Sequence, residues 1–188
     1  MRKTSFLKQL YSCYFSRPVH DRLLYRTAAQ FEFQSVVEIG ISSIERTCRM
    51  LEIAHRYTDQ PICYTGIDLF DARDGRQQQV GLKFAHVELK KTGSVIKLMP
   101  GDPFSSLSRC ANLLSGTDLL IVGAEVDQQS MDRSWFYLPR MLHEESHVII
   151  EHMKGDQVEF EEGDLQSIID RSELTLGTCS RPGLREAA

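Results

Sequence analysis

Ser35-Val36-Val37-Glu38-Ile39-Gly40-Ile41-Ser42-Ser43-Ile44-Glu45 reads as a short strand, a glycine turn and the start of a helix. The apolar run closes on an acid, Glu38, and Gly40 follows it two residues later. Ser42 stands three residues before Glu45, the spacing of a capping box, in which each side chain satisfies an orphan N–H at the helix start. One helical face then runs through Ile44, Thr47, Leu51 and Ala54, or through Ile44, Cys48, Leu51 and His55. Strand, glycine turn and helix N-terminus in that order make a binding turn, because free N–H groups and the positive end of the helix dipole point out of it. The next apolar run, Ile62 to Ile67, ends in Asp68. An acid at the tip of a second strand is placed to accept hydrogen bonds from ribose hydroxyls.

The same alternation extends outward. Upstream, residues 4–15 carry a helical pattern that Pro18 breaks, and residues 21–31 read as a second helix; together 1–34 form a helical lead-in to a domain over 35–188. Downstream, the residues from Asp71 to Arg76 make a polar loop. A helix from about Gln77 to Lys91, with Val80, Phe84 and Val87 inward, stops at Gly93. Residues 94–99 form a third strand, Asp102 caps a helix over 103–114, and 118–123 form a fourth strand. A helix over 130–143 is interrupted by Pro139, and 147–151 form a fifth strand. Beyond it, Asp164 can cap a helix over 165–171, residues 174–176 suggest a last strand, and little else is β-rich. Strands alternating with helices predict an α/β, Rossmann-like doubly wound, mostly parallel sheet of order 3-2-1-4-5 with helices on both faces.

Composition narrows the classes of function. The chain has 188 residues, 41% hydrophobic and 26% charged, as expected of one soluble globular domain. Its net charge of −4 gives no global attraction to nucleic acid or to an anionic membrane, so neither is expected as a partner. Arg17, Arg22 and Arg26 read as a solvated helix face. The five cysteines are scattered without a C-x-x-C, which argues against a disulfide framework or a zinc cluster; Cys48 and Cys63 read as small core residues. No apolar run reaches the roughly 20 residues of a membrane span, and Lys8 and Gln9 interrupt the start before a signal-peptide core can form, so a cytoplasmic location is expected.

The order Glu38-x-Gly40, Asp68, Gly101-Asp102 and Asp118-Leu-Leu-Ile-Val-Gly123 resembles the class I S-adenosylmethionine-dependent methyltransferases over about residues 35–152. The resemblance implies that Glu38, Gly40 and Ser42 lie at the methionine side of the cofactor S-adenosylmethionine. It also implies that Asp68 takes the ribose hydroxyls and that Gly101 and Asp102 flank the adenine. Gly123-Ala-Glu125-Val-Asp127, Tyr137-Leu-Pro139-Arg140-Met-Leu142 and Glu151-His152 are similar to the macrocin O-methyltransferase and cephalosporin-hydroxylase-like branch. That branch implies Mg²⁺ held by Asp127 and Glu151, with Glu125 or His152 near, and Asp127 as a base toward a hydroxyl of a small-molecule substrate. Where the family turn carries three glycines, this chain keeps Gly40 and has Ser42 and Ile44 in the later places. Two functions therefore stand side by side: a small-molecule methyltransferase, as a monomer or homo-oligomer, and a non-catalytic Rossmann-like module acting through partners.

Overall fold

A computed structural model describes residues 5–74, 80–155 and 157–179. Five parallel strands, β1 (Ser35–Ile39), β2 (Cys63–Asp68), β3 (Val95–Pro100), β4 (Thr117–Val122) and β5 (Leu142–Lys154), are joined by β6 (Gln157–Gly163), which runs antiparallel to β5. The order is β3-β2-β1-β4-β5-β6, so the expected 3-2-1-4-5 arrangement holds with one strand added at the edge. The fold is a Rossmann-like, doubly wound α/β sheet, parallel except at its β6 edge. Parallel neighbours require crossovers, and the helices supply them: α3 (Ile44–Ala54), α4 (Leu82–Lys90), α5 (Pro103–Cys110) and α6 (Gln128–Ser134), with α1 (Phe6–Tyr14) and α2 (Asp21–Gln30) before the sheet and α7 (Leu165–Cys179) after it.

Strand residues alternate between the two faces, and the core divides accordingly. Val36, Tyr64, Leu119, Ile121 and Ile149 meet Leu24, Met50 and Leu89 from the helices of one layer. Val37, Ile39, Leu120, Val122 and Ile150 meet Leu107, Met131 and Ile168 in the other. The central pairing Glu38↔Gly66 and Glu38↔Ile121 puts β1 in the middle and brings the ends of β1, β2 and β4 together at one edge. That edge is where open α/β sheets bind ligands.

Several local expectations change. The α3 cap is Ser43, whose side chain accepts from the Arg46 N–H, and not Ser42. On α4 the buried residues are Ala85 and Leu89, while Phe84 and Val87 are exposed; the helix starts at Leu82, and its expected start at 77 lies outside the described residues. Pro139 sits within a 3-10 segment, Trp135–Arg140, that follows α6, so the predicted helix over 130–143 ends early. The suggested strand at 174–176 lies within α7, which Asp164 caps by accepting from the Ser167 N–H at 2.9 Å. Buried Ile168 and Ser172, one turn apart, anchor that helix and override the local β preference of a Leu-Thr-Leu triplet. In β6, Val158 and Phe160 alternate with Glu159 and Glu161; this period of two marks a strand with one wet face, a faint signal in the sequence because acids outnumber apolar residues. Cys63 is exposed at the start of β2 and is not a core residue. Among the described residues no helix is long and apolar enough to cross a membrane.

Candidate functional site

The turn after β1 is fixed by two glycines. Gly40 has φ +77°, the left-handed region, and its N–H donates to the Ile67 carbonyl at 2.8 Å. Gly123, at the end of β4, packs so closely that a Cβ there would lie 2.3 Å from the Gly40 carbonyl oxygen. A Cβ on Gly40 would in turn lie 2.3 Å from Cγ2 of Val126. The space over the glycine turn is thus filled by Val126.

Gly40, Ser42, Asp68, Gly101 and Asp102 line one cavity at the strand ends, with Arg73, Val126 and Asp127 on its other walls. Glu38 is not among them. It is fully buried on the α3 side, accepting from the Tyr64 hydroxyl at 2.7 Å, Thr47 Oγ1 at 2.8 Å and Arg46 Nη2 at 3.1 Å. It is a structural carboxylate that ties α3 to β1 and β2.

Asp68 is also committed within the chain. Its Oδ1 accepts from the Phe70 N–H at 2.7 Å and Arg73 Nε at 2.8 Å; its Oδ2 accepts from the Ile41 N–H at 2.8 Å and from Arg73 Nη2. A carboxylate offers about four acceptor positions, and all are used. Arg73 Nη2 also donates to the Ile41 carbonyl at 2.6 Å, clamping the glycine turn to the tip of β2. Phe70, buried with φ +49°, makes the tight reversal that returns Arg73 to Asp68. A non-glycine residue held in that region stores backbone strain.

On the far wall, Asp102 caps α5 through the Ser105 N–H at 3.0 Å, and Asp127 caps α6 through the Ser130 N–H at 2.7 Å. Ser130 Oγ donates to Asp102 Oδ1 at 2.7 Å, so one serine joins the two caps. Burial opposes ionisation of Asp102, but the hydrogen bonds from Ser105 and Ser130 outweigh it and hold its pKa down to about 2.

Glu151 stands just past the last β5 residue paired with β4 and lines a different cavity from Asp127. Its carboxylate pairs with Arg46 Nη1 at 2.7 Å and accepts from Ser42 Oγ at 3.0 Å. Arg46 also reaches Glu38 at 3.1 Å and Asp21 at 3.9 Å, a buried cation shared by three acids. Burial raises the pKa of Glu38 and Asp21, with Arg46 offsetting part of the cost. The acids around Arg46 hold its own pKa above the ordinary arginine value despite its burial. A second cavity, of about 400 Å³, lies beside Glu151 and is walled by Met131, Trp135, Arg171 and Val126. The Arg171 guanidinium sits 4.9 Å from the Trp135 ring centroid. Val126 lines both cavities.

The Mg²⁺ expectation finds no matching donor set. Among the described residues no group of three or more His, Cys, Asp and Glu is placed to hold a metal. Glu151 is neutralised by Arg46, and Asp127 opens on a different cavity. His152 pairs instead with Glu161 at 2.7 Å on the exposed edge. For an adenosyl group the residue types suit: a glycine turn, a strand-tip carboxylate and a second carboxylate beyond. The shape in this conformation does not, since the cavity holds about 40 Å³ and small-molecule sites run to several hundred.

Sequence reading missed Arg46, Arg73, Val126 and Ser130. Arg46 carries a usable signal, standing four and seven residues before Met50 and Ile53 on an inward helical face. Arg73 carries none beyond its nearness to Asp68, because the reversal at Phe70 depends on the packing of that ring.

No protein-family model matches the sequence, and no curated protein matches it. Solved structures do. Cofactor-bound Rv0187 from MTB aligns with a TM-score of 0.53 at 14% identity, over 94% of this chain and 77% of that one. The O-methyltransferase TomG from Streptomyces achromogenes, in complex with SAM, aligns at 0.53 and 12%, over 94% and 80%. Precorrin-6y C5,15-methyltransferase from Geobacter metallireducens aligns at 0.51 and 13%, over 86% and 72%. At these identities the likeness establishes the fold.

Proposed function

We propose that the chain is an S-adenosylmethionine-dependent methyltransferase acting on a small-molecule acceptor, with transfer to oxygen as the reaction. One observation carries the reading. Gly40, Ser42, Asp68, Gly101 and Asp102, the positions that the resemblance assigns to the cofactor, line a single cavity at the carboxyl ends of the strands. They do so in a fold shared with TomG, which was solved with SAM. When bound, the cofactor supplies an electrophilic methyl group. Asp68 would hold the ribose hydroxyls, Gly40 and Ser42 the methionine side, and Gly101 with Asp102 the adenine. Asp127, on the wall of that same strand-end cavity, would accept the proton of an acceptor hydroxyl brought to its mouth, so that catalysis is largely positioning. Binding on this reading requires Arg73 to leave Asp68 and Val126 to withdraw from Gly40.

A second reading, a non-catalytic Rossmann-like module, is favoured by the full complement of internal hydrogen bonds on Asp68. Calorimetry with S-adenosylhomocysteine on the parent, Asp68→Ala and Val126→Ala separates the two. The methyltransferase reading expects binding that Asp68→Ala weakens by roughly one to two decades, the cost of a charge-assisted hydrogen bond. Val126→Ala should tighten it. Absence of binding in both the parent and Val126→Ala selects the non-catalytic module.

A further inference from the structure

The helix α1 is inside out. Its buried residues are Gln9, Ser12 and Cys13, followed by buried Ser16, whereas Phe6, Leu7, Leu10, Tyr11, Tyr14 and Phe15 are exposed, Leu7 by 74%. At 3.6 residues per turn these six occupy about half of the helix circumference. A helix on a globular core normally turns that face inward. Here hydrogen bonds hold the polar face in: Gln9 Nε2 donates to the Tyr57 hydroxyl, Cys13 Sγ to the Tyr25 carbonyl at 3.5 Å, and Arg22 Nε to the Ser16 carbonyl at 2.9 Å. The outward apolar face is therefore a feature of the native packing.

Charge indicates what covers it. Residues 1–20 contain Arg2, Lys3, Lys8 and Arg17 and no acid, in a chain whose net charge is −4. Lys8 pairs with Glu52 at 3.7 Å but stays 60% exposed, and the first acid along the chain, Asp21, is buried near Arg46. A basic segment bearing an exposed face of Phe, Leu and Tyr matches a surface that is apolar within and anionic at its boundary. A two-fold contact between copies through this face would set the two basic segments against each other. We propose that α1 is an interfacial anchor that seats the protein on an anionic lipid bilayer, with the aromatic face in the headgroup boundary and Lys8 and Arg17 at the lipid phosphates. The whole-chain charge, which predicts no membrane partner, averages this segment away. The inference is independent of what the strand-end cavity binds.

The test is co-sedimentation of the full chain with vesicles of phosphatidylcholine alone or mixed with phosphatidylserine. The expected result is partition into the mixed vesicles that falls steeply in high salt. Lys8→Glu/Arg17→Glu should weaken it by about fivefold or more per residue. Leu7→Ser/Tyr11→Ser/Phe15→Ser should weaken it by roughly tenfold or more while leaving the melting temperature unchanged, since all three side chains are solvent-facing. No partition into the mixed vesicles, or equal partition into both kinds, overturns the proposal. A concentration-dependent dimer in light scattering that the triple variant dissociates, without vesicle binding, overturns it in favour of a second copy on this face.

Discussion

Arg73 folds back onto Asp68, donating from Nε to one carboxylate oxygen and from Nη2 to the other. Both side chains are buried, so neither charge has water to fall back on. Removing one partner of such a pair typically costs about 3–5 kcal/mol, because the other charge stays buried and uncompensated. Arg73→Met should therefore destabilise strongly in urea, and Asp68→Asn/Arg73→Met should recover most of the loss. A double variant no more stable than Arg73→Met would show that Arg73 contributes through its packing and its bond to Ile41 instead.

The cluster around Arg46 predicts a pH dependence. Glu38 and Asp21 have folded-state pKa values raised above their unfolded ones. The folded state thus holds more protons than the unfolded state between those values, and stability falls as pH rises. Their contribution is fully present below the ordinary carboxylate range and is lost as pH climbs through the raised values. Glu38→Gln keeps the acceptor for Tyr64 and removes one titration. Its stability relative to the parent should improve steadily as pH rises above the carboxylate range, read from urea midpoints. A difference that is flat with pH would remove Glu38 from the account.

Gly123 and Gly116 offer a contrast between steric and conformational cost. A Cβ on Gly123 would meet the Gly40 carbonyl at 2.3 Å, whereas Gly116 has φ +78° and nothing within 4 Å. Gly116→Ala should cost about 1–2 kcal/mol, the left-handed penalty alone. Gly123→Ala should cost about 3 kcal/mol or more, since two backbones must separate. Thermal melts of the two variants test the ranking.

On α4, Leu89→Ala should cost about 2–5 kcal/mol and Phe84→Ser no more than about 0.5 kcal/mol, because only the first side chain is buried. Chemical denaturation of both variants checks which face of the helix meets the sheet.

The sequence by itself determined the five parallel strands and their order, though not the antiparallel edge strand β6. Alternation of β-rich runs with helical periods leaves few topologies once crossovers must be right-handed, and the order 3-2-1-4-5 followed. The turn at Gly40 and the acids at Asp68, Asp102 and Asp127 were legible for the same reason: strand ends, glycines and caps are local events whose chemistry is written in neighbouring residues. Tertiary structure alone decided what those acids do. Glu38 turns into the core because β1 alternation points it at α3, where Arg46 waits. Asp68 is saturated because a reversal at Phe70 brings Arg73 back, and Val126 fills the glycine turn because β4 ends against β1. Only packing chose Ala85 over Phe84 as the inward face of α4 and turned the aromatic face of α1 outward. A periodicity shows that a helix has an apolar stripe; which way the stripe points is set by the free energy of the whole arrangement.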